Sequence, residues 1–287
     1  MRRNTFILLF LLLSLSGICQ QSKQKLLGTC AIDDLTKEPF ATWYLPGYKK
    51  YSPNTEVLSH IKSRNPKKYS VKIFFGTWCG DSQRELPRMS KILNELSIPE
   101  ENVLWIALDD SLTFYKQSPQ HEEQGLNIYR VPTFIVYEKE KEVGRIVEFP
   151  KESLERDLLK IVDRQPYESN YQGYPSITVW LQSGILKDPN ISARGLAEEL
   201  HSKISRETEL NACGYVLLMR GNWQEAITVF KINANLFPTS ANCFDSLGEA
   251  YLISGQKEKS IETYEYAQTL DPKNENIKNQ LAKLKKG

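Results

Sequence analysis

The chain has 287 residues, with 37 Lys and Arg against 35 Asp and Glu, a formal charge of +2 at neutral pH. Its length exceeds one ordinary domain, and 40% hydrophobic residues are enough for packed cores. So even a charge balance gives nucleic acid no electrostatic footprint, and Lys49-Lys50 and Lys67-Lys68 are short enough to be solvated loop faces.

Met1-Arg2-Arg3 is a basic start, Phe6 to Leu15 an apolar run, and Gly17-Ile18-Cys19 a cleavage-type sequence before Gln20. Residues 1–19 therefore read as a secretory signal peptide, and the protein as exported to the periplasm or cell envelope. Thr5 to Ile18 is shorter than the ~20 residues a spanning helix needs, and no later segment could span a bilayer. Cys19 could instead accept a lipid anchor, although a lipobox wants a small residue where Ile18 stands.

Residues 20–68 read as an N-terminal arm. It carries Cys30, either a packing residue or a second thiol for a site further on. Its aromatic stretch (Phe40, Trp43, Tyr44, Tyr48, Tyr51) either packs on a core or lines a groove, and packing is preferred because such rings bury large apolar areas.

The core reading spans residues 69–165. Val71 to Gly76 is a buried-strand run, followed by a helical pattern through Leu86, Met89, Ile92, Leu93 and Leu96. Asn102 to Leu108 and Thr133 to Tyr137 are further strands, and Glu142 to Glu148 alternates like an edge strand. Leu154, Leu158, Leu159 and Ile161 return to helical period, so the class is α/β. Between the first strand and its helix stands Trp78-Cys79-Gly80-Asp81-Ser82, where free N–H groups and the helix dipole favour a thiolate. Ser82 stands three residues after Cys79, so no disulfide can close within the motif.

Residues 166–175 are polar and punctuated by Pro and Gly, a natural linker. Residues 176–287 then read as helical. Gly214 and Gly248, Leu217 and Tyr251, Gly221 and Gly255, Ala226 and Ser260, Phe230 and Tyr264, and Pro238 and Pro272 are each 34 residues apart. This pattern resembles the tetratricopeptide repeat and implies two units, about 207–240 and 241–274, with a cap helix carrying Ile277, Leu281 and Leu284. Ser192 to Arg206 and Tyr174 to Leu186 supply further helices. The module either binds a protein or peptide partner or merely stabilises the chain. Cys213 and Cys243 lie in it as core filler, or as a disulfide if their α-carbons fall within about 7 Å.

Trp78-Cys79-Gly80, Pro87 eight residues past the cysteine, and Val131-Pro132-Thr133 leading into a strand together resemble the thioredoxin superfamily, from about Tyr69 to Val162. The resemblance implies a thioredoxin-like fold, a central mixed sheet flanked by helices. It also implies a nucleophilic Cys79, a cis Pro132 facing it and a helix kinked at Pro87. Cys79, Ser82 and Pro132 are then the catalytic positions, with Trp78, Gly80, Asp81, Val131 and Thr133 forming motif and groove.

Several positions depart from dithiol members of that family. Ser82 replaces the second cysteine, so release of a mixed disulfide requires an outside thiol or Cys30. Ile73 stands where many thioredoxins bury an Asp that assists proton transfer. Asp81 opposes ionisation of Cys79, while the helix terminus favours it by about 0.3–1 kcal/mol. Arg84 and Arg130 are either counter-charges or ordinary solvated arginines, and Glu148 falls near a glycine flanking the family's substrate groove.

Two functions follow. One is an exported monothiol oxidoreductase acting on protein clients with a thiol reductant. The other is a non-catalytic scaffold that holds partners. No cofactor is implied, and the scattered His60, His121 and His201 give no metal set.

Overall fold

The computed structural model describes residues 24–286, so the signal-peptide reading and the Cys19 alternative lie outside the described residues. Among these, no helix is long and apolar enough to cross a membrane.

Strands β1 (Gly28–Cys30), β2 (Tyr69–Phe75), β3 (Val103–Ala107), β4 (Thr133–Glu138) and β5 (Lys141–Val147) form one sheet. Their order is β1-β3-β2-β4-β5, with β2 and β3 parallel and the other pairs antiparallel. This is the mixed sheet of a thioredoxin-like fold. Interleaved with it are α1 (Ala41–Lys50), α2 (Thr55–Lys62), α3 (Gly80–Glu95) and α4 (Leu154–Val162).

Side chains alternate across the pleat, so register assigns each residue a face. Ile73 and Phe75 of β2 join Trp105, Phe134 and the apolar sides of all four helices in the larger core. Phe74 points the other way, with Ile106, Ile135 and Tyr137. Among the described residues no helix joins the cluster on that second face. Residues 108–132, without helix or strand, pack Leu108, Ile128 and Val131 onto it.

The described part of the arm, residues 24–68, is built into this domain. β1 is an edge strand of the sheet, and Phe40 and Tyr44 are buried while Trp43, Tyr48 and Tyr51 pack against the same core. Tyr44 Oη donates to Ser90 Oγ at 2.7 Å and Tyr51 Oη to Glu155 at 2.8 Å.

The segment read as a linker does not hang free. Tyr167 donates to Asp157 at 2.9 Å, and Tyr171 stacks on Tyr174 with ring centroids 5.1 Å apart. Both latter rings are buried beside Tyr129 and Val147 in a core continuous with the helical region. Polar composition hid this, because tyrosines bury their rings while their hydroxyls find partners.

The helical region contains α5 (Tyr174–Ser183), α6 (Ala193–Leu200), α7 (Glu207–Met219), α8 (Trp223–Leu236), α9 (Ala241–Ile253), α10 (Lys257–Leu270) and α11 (Glu275–Lys286). The helix expected over Ser192 to Arg206 is shorter, ending at Leu200, and Ile185–Lys187 forms a separate 3-10 turn after α5. Each 34-residue unit is a packed helix pair, α7 with α8 and α9 with α10. Gly214 and Gly248 are what permit the close crossings. A Cβ on Gly214 would lie 2.6 Å from Phe230, and one on Gly248 3.0 Å from Tyr264.

Candidate active site

Cys79 is the N-cap residue of α3, with extended backbone (φ −91°, ψ 124°). Its carbonyl accepts from Gln83 N at 2.9 Å, starting the helix, while its own N–H donates to Gly76 O at 3.0 Å. The half-buried thiol therefore sits at the positive end of the 16-residue α3. Sγ donates to Val131 O at 3.2 Å, and the next peptide bond, Val131–Pro132, is cis. Cys79 and Pro132 are thus brought together across the end of the sheet.

Each flanking motif residue is fixed by a distinct contact. Trp78 Nε1 donates to Leu108 O at 2.8 Å, tying the motif to the segment covering the second face. A Cβ on Gly76 would collide with the Trp78 indole, so only glycine lets that ring fold back over the strand end. Gly80 is exposed, and a Cβ there would meet nothing within 4 Å, so the first residue of α3 faces open space. Thr133 Oγ1 donates to Arg130 O at 2.7 Å, and Pro132 O accepts Glu148 N at 2.7 Å. Glu148 adopts a left-handed φ of 66°, a conformation that favours glycine.

Ser82 is fully buried, and its Oγ accepts the Gly76 N–H at 3.2 Å. The position of a second sulfur is here a backbone anchor. Asp81 pairs with Arg84 Nη2 at 2.6 Å, and the same guanidinium reaches Glu85 at 2.6 Å. Arg84 is therefore engaged with carboxylates of its own helix. Ile73 lies in the larger core with no exposure.

Cys30 is not brought to Cys79. In β1 it opposes Trp105, which opposes Ile73, so all three lie on the helix-covered face, whereas Cys79 packs with the cluster on the other. Burial, then Asp34, pushes its thiol up to about 12, and Sγ lies 3.8 Å from Trp105 O. Burial likewise pushes Cys243 up to about 12 and Cys213 higher still. All four described cysteines are free.

Arg130 is not a solvated arginine. Its guanidinium lies over the Tyr171 ring at 5.0 Å, pairs with Glu148 at 3.2 Å, and donates to Tyr174 Oη at 3.3 Å and Thr208 O at 2.6 Å. It joins the loop before Pro132 to α5 and α7. Glu148 is pushed up by burial, with Arg130 opposing and Asp81 reinforcing that shift.

Sequence reasoning missed Lys116. It sits within residues 108–132, nearly fully buried, and its Nζ donates to Tyr129 O at 2.7 Å. A lysine in the polar run Tyr115-Lys116-Gln117 carries no signal of burial, because the residues that cover it come from α7 and from the loop before Pro132.

Comparison with known families agrees with this geometry. Residues 42–159 match the family model described as Thioredoxin, and no curated protein matches the chain. The chain thus carries a thioredoxin-like domain, followed by a mostly helical region.

Proposed function

We propose that this protein is an exported monothiol thioredoxin-like protein whose Cys79 exchanges with disulfides of protein clients, with a tetratricopeptide-type helical module as a second contact surface. The observation that carries this reading is the contrast among cysteines. Among the four described cysteines Cys79 alone is a helix N-cap beside a cis proline, next to an exposed Gly80, whereas Cys213 and Cys243 are buried and Cys30 lies on the helix-covered face of the sheet. Exposed Leu112 and Phe114, on the segment that anchors Trp78, support a protein client over a small polar one. Export rests on the basic and apolar leader.

In the proposed cycle the Cys79 thiolate attacks one client sulfur, forming a mixed disulfide and expelling the other as a thiolate that takes up a proton. A second, external thiolate then attacks the mixed disulfide and returns Cys79. Ser82 cannot perform that step, and Cys30 lies across the sheet.

The competing reading is a non-catalytic scaffold, favoured by the use of Ser82 as a buried backbone acceptor. Ser82→Cys separates the two. It places a thiol one helical turn from Cys79, where effective molarities reach about 10⁵–10⁸ M. The variant should gain an internal disulfide and much faster reduction of a protein disulfide under a dithiol reductant, at a stability loss of about 1 kcal/mol for the weakened Gly76 contact. Cys79→Ser should form no adduct. If Ser82→Cys gains neither property while Cys79 is readily alkylated, the scaffold reading replaces the enzyme.

A further inference from the structure

Lys116 and Cys79 hang from the same short rail of backbone. Lys116 Nζ donates to the carbonyl of Tyr129 at 2.7 Å, and Cys79 Sγ donates to the carbonyl of Val131 at 3.2 Å, two residues along the loop that ends in cis Pro132. Tyr129 and Val131 are both buried. The amine lies over the Tyr115 ring at 4.6 Å, and Tyr129 O is its only hydrogen-bond acceptor among the described residues. Its backbone is pinned on both sides, with Lys116 N on Asp109 O at 2.8 Å and Arg220 Nη2 of the α7 end on Lys116 O at 3.4 Å.

We propose that Lys116 is the proton-holding residue of the Cys79 site, a positioning role that rests on the thiol-exchange function argued above. No carboxylate is available behind the nucleophile, because Ile73 fills the core there. A buried amine with one neutral acceptor can take that part. In its neutral form Lys116 takes up a proton as Cys79 releases one, leaving thiolate and ammonium at the site. The ammonium then holds the thiolate by charge while Sγ attacks a client disulfide. When the S–S bond breaks, the expelled client thiolate takes the proton, leaving a Cys79–client disulfide, a client thiol and a neutral amine. Protons and electrons balance within the step.

The surroundings suit an amine that changes charge near neutrality. Burial, then the Arg130 guanidinium, pulls Lys116 down from the usual lysine range to about 7, while Glu148 at the end of β5, Cys79 at the start of α3 and Cys213 of α7 pull it back up. Tyr115 and Asp109 on its own segment, Tyr129 on the loop before Pro132 and Arg220 at the end of α7 also adjoin it.

The test follows alkylation of Cys79 by iodoacetamide in the full chain against pH, read by mass spectrometry of the Cys79 peptide. Wild type should give a profile with an inflection near pH 7 besides the main thiol step. Lys116→Met, similar in length and apolar, should give one step at higher pH and roughly tenfold slower alkylation at pH 7, the effect of a single pK unit. Identical profiles would overturn the proposal. If Lys116→Met does not fold, the lysine ¹³Cε titration decides: the Lys116 midpoint should fall in Cys79→Ser, and an unchanged midpoint also overturns it. Exchange of wild type with a protein disulfide is measured in parallel. Failure of that exchange counts against thiol-exchange function, whereas a flat Lys116→Met response with normal exchange counts against Lys116 alone.

Discussion

The two helix pairs of the C-terminal region share one local design and differ in what surrounds them. In both, a glycine on the first helix lets an aromatic ring of the second approach closely, Gly214 under Phe230 and Gly248 under Tyr264. The first pair lies in a core that also holds α5, α6 and Tyr129 and Val147 of the thioredoxin-like domain. The second sends Leu247, Ala250 and Tyr251 of α9 into that same core, while its α10 closes on α11 in a small cluster of Tyr264, Ala267, Ile277, Leu281 and Leu284. A repeat thus specifies its own helix crossing, while its neighbours determine whether that crossing holds two domains together or caps an end.

Removing the rings should break the comparison most visibly. Phe230→Ala and Tyr264→Ala should each cost about 3–5 kcal/mol in urea unfolding, since both rings are almost fully buried. Only Phe230→Ala should also raise proteolysis around Tyr171 and Tyr174, which share its core. Equal cleavage in both variants would show that the domain junction does not depend on the first pair.

A gentler perturbation sharpens the same contrast. Gly214→Ala and Gly248→Ala should cost about 1–3 kcal/mol by overpacking. The Gly214 variant should lose more, because its Cβ would meet Phe230 at 2.6 Å against 3.0 Å at Tyr264. Reversed order would mean that the first pair can shift to absorb a methyl group and the second cannot.

The smallest expected effect is a pH dependence confined to the junction. Glu209 of α7 accepts Gly173 N at 2.9 Å, and burial raises its carboxyl to about 7 against the opposing pull of that bond and of Arg130 and Arg206. A carboxyl raised in the folded state holds its proton between about pH 4.5 and 7 while the unfolded chain has lost it. Stability therefore falls as pH rises through that window. Lys116, lowered to about 7, acts oppositely above neutrality: the unfolded chain binds the extra proton, so stability recovers as pH rises from about 7 toward 10.5. Glu209→Gln should remove roughly 1–2 kcal/mol of the decline between pH 5 and 7. A Glu209→Gln midpoint that declines as wild type does would refute this assignment.

Much of the site was legible because its determinants are local. An apolar run followed by Trp78-Cys79-Gly80 and an amphipathic pattern defines a strand end and a helix start, and a cysteine between them becomes an N-cap whatever lies around it. Pro132 and the 34-residue spacing are equally local, since proline chemistry and helix-pair length are written in consecutive residues.

What only the tertiary structure decided depends on neighbours distant in sequence. Cys30 differs from Thr29 by one position, yet strand register sends Thr29 to the side of Phe74 and Ile106 and Cys30 to the other face. Arg130 reads as a surface cation until Tyr171, Tyr174 and Thr208 close around it from 41 to 78 residues away. Ser82 reads as a missing sulfur until the Gly76 N–H is found on it. Lys116 carries no mark of burial in its own segment. Backbone geometry follows from nearby residues, whereas desolvation and charge pairing depend on whatever the fold packs alongside, and these set the chemistry of a thiol or an amine.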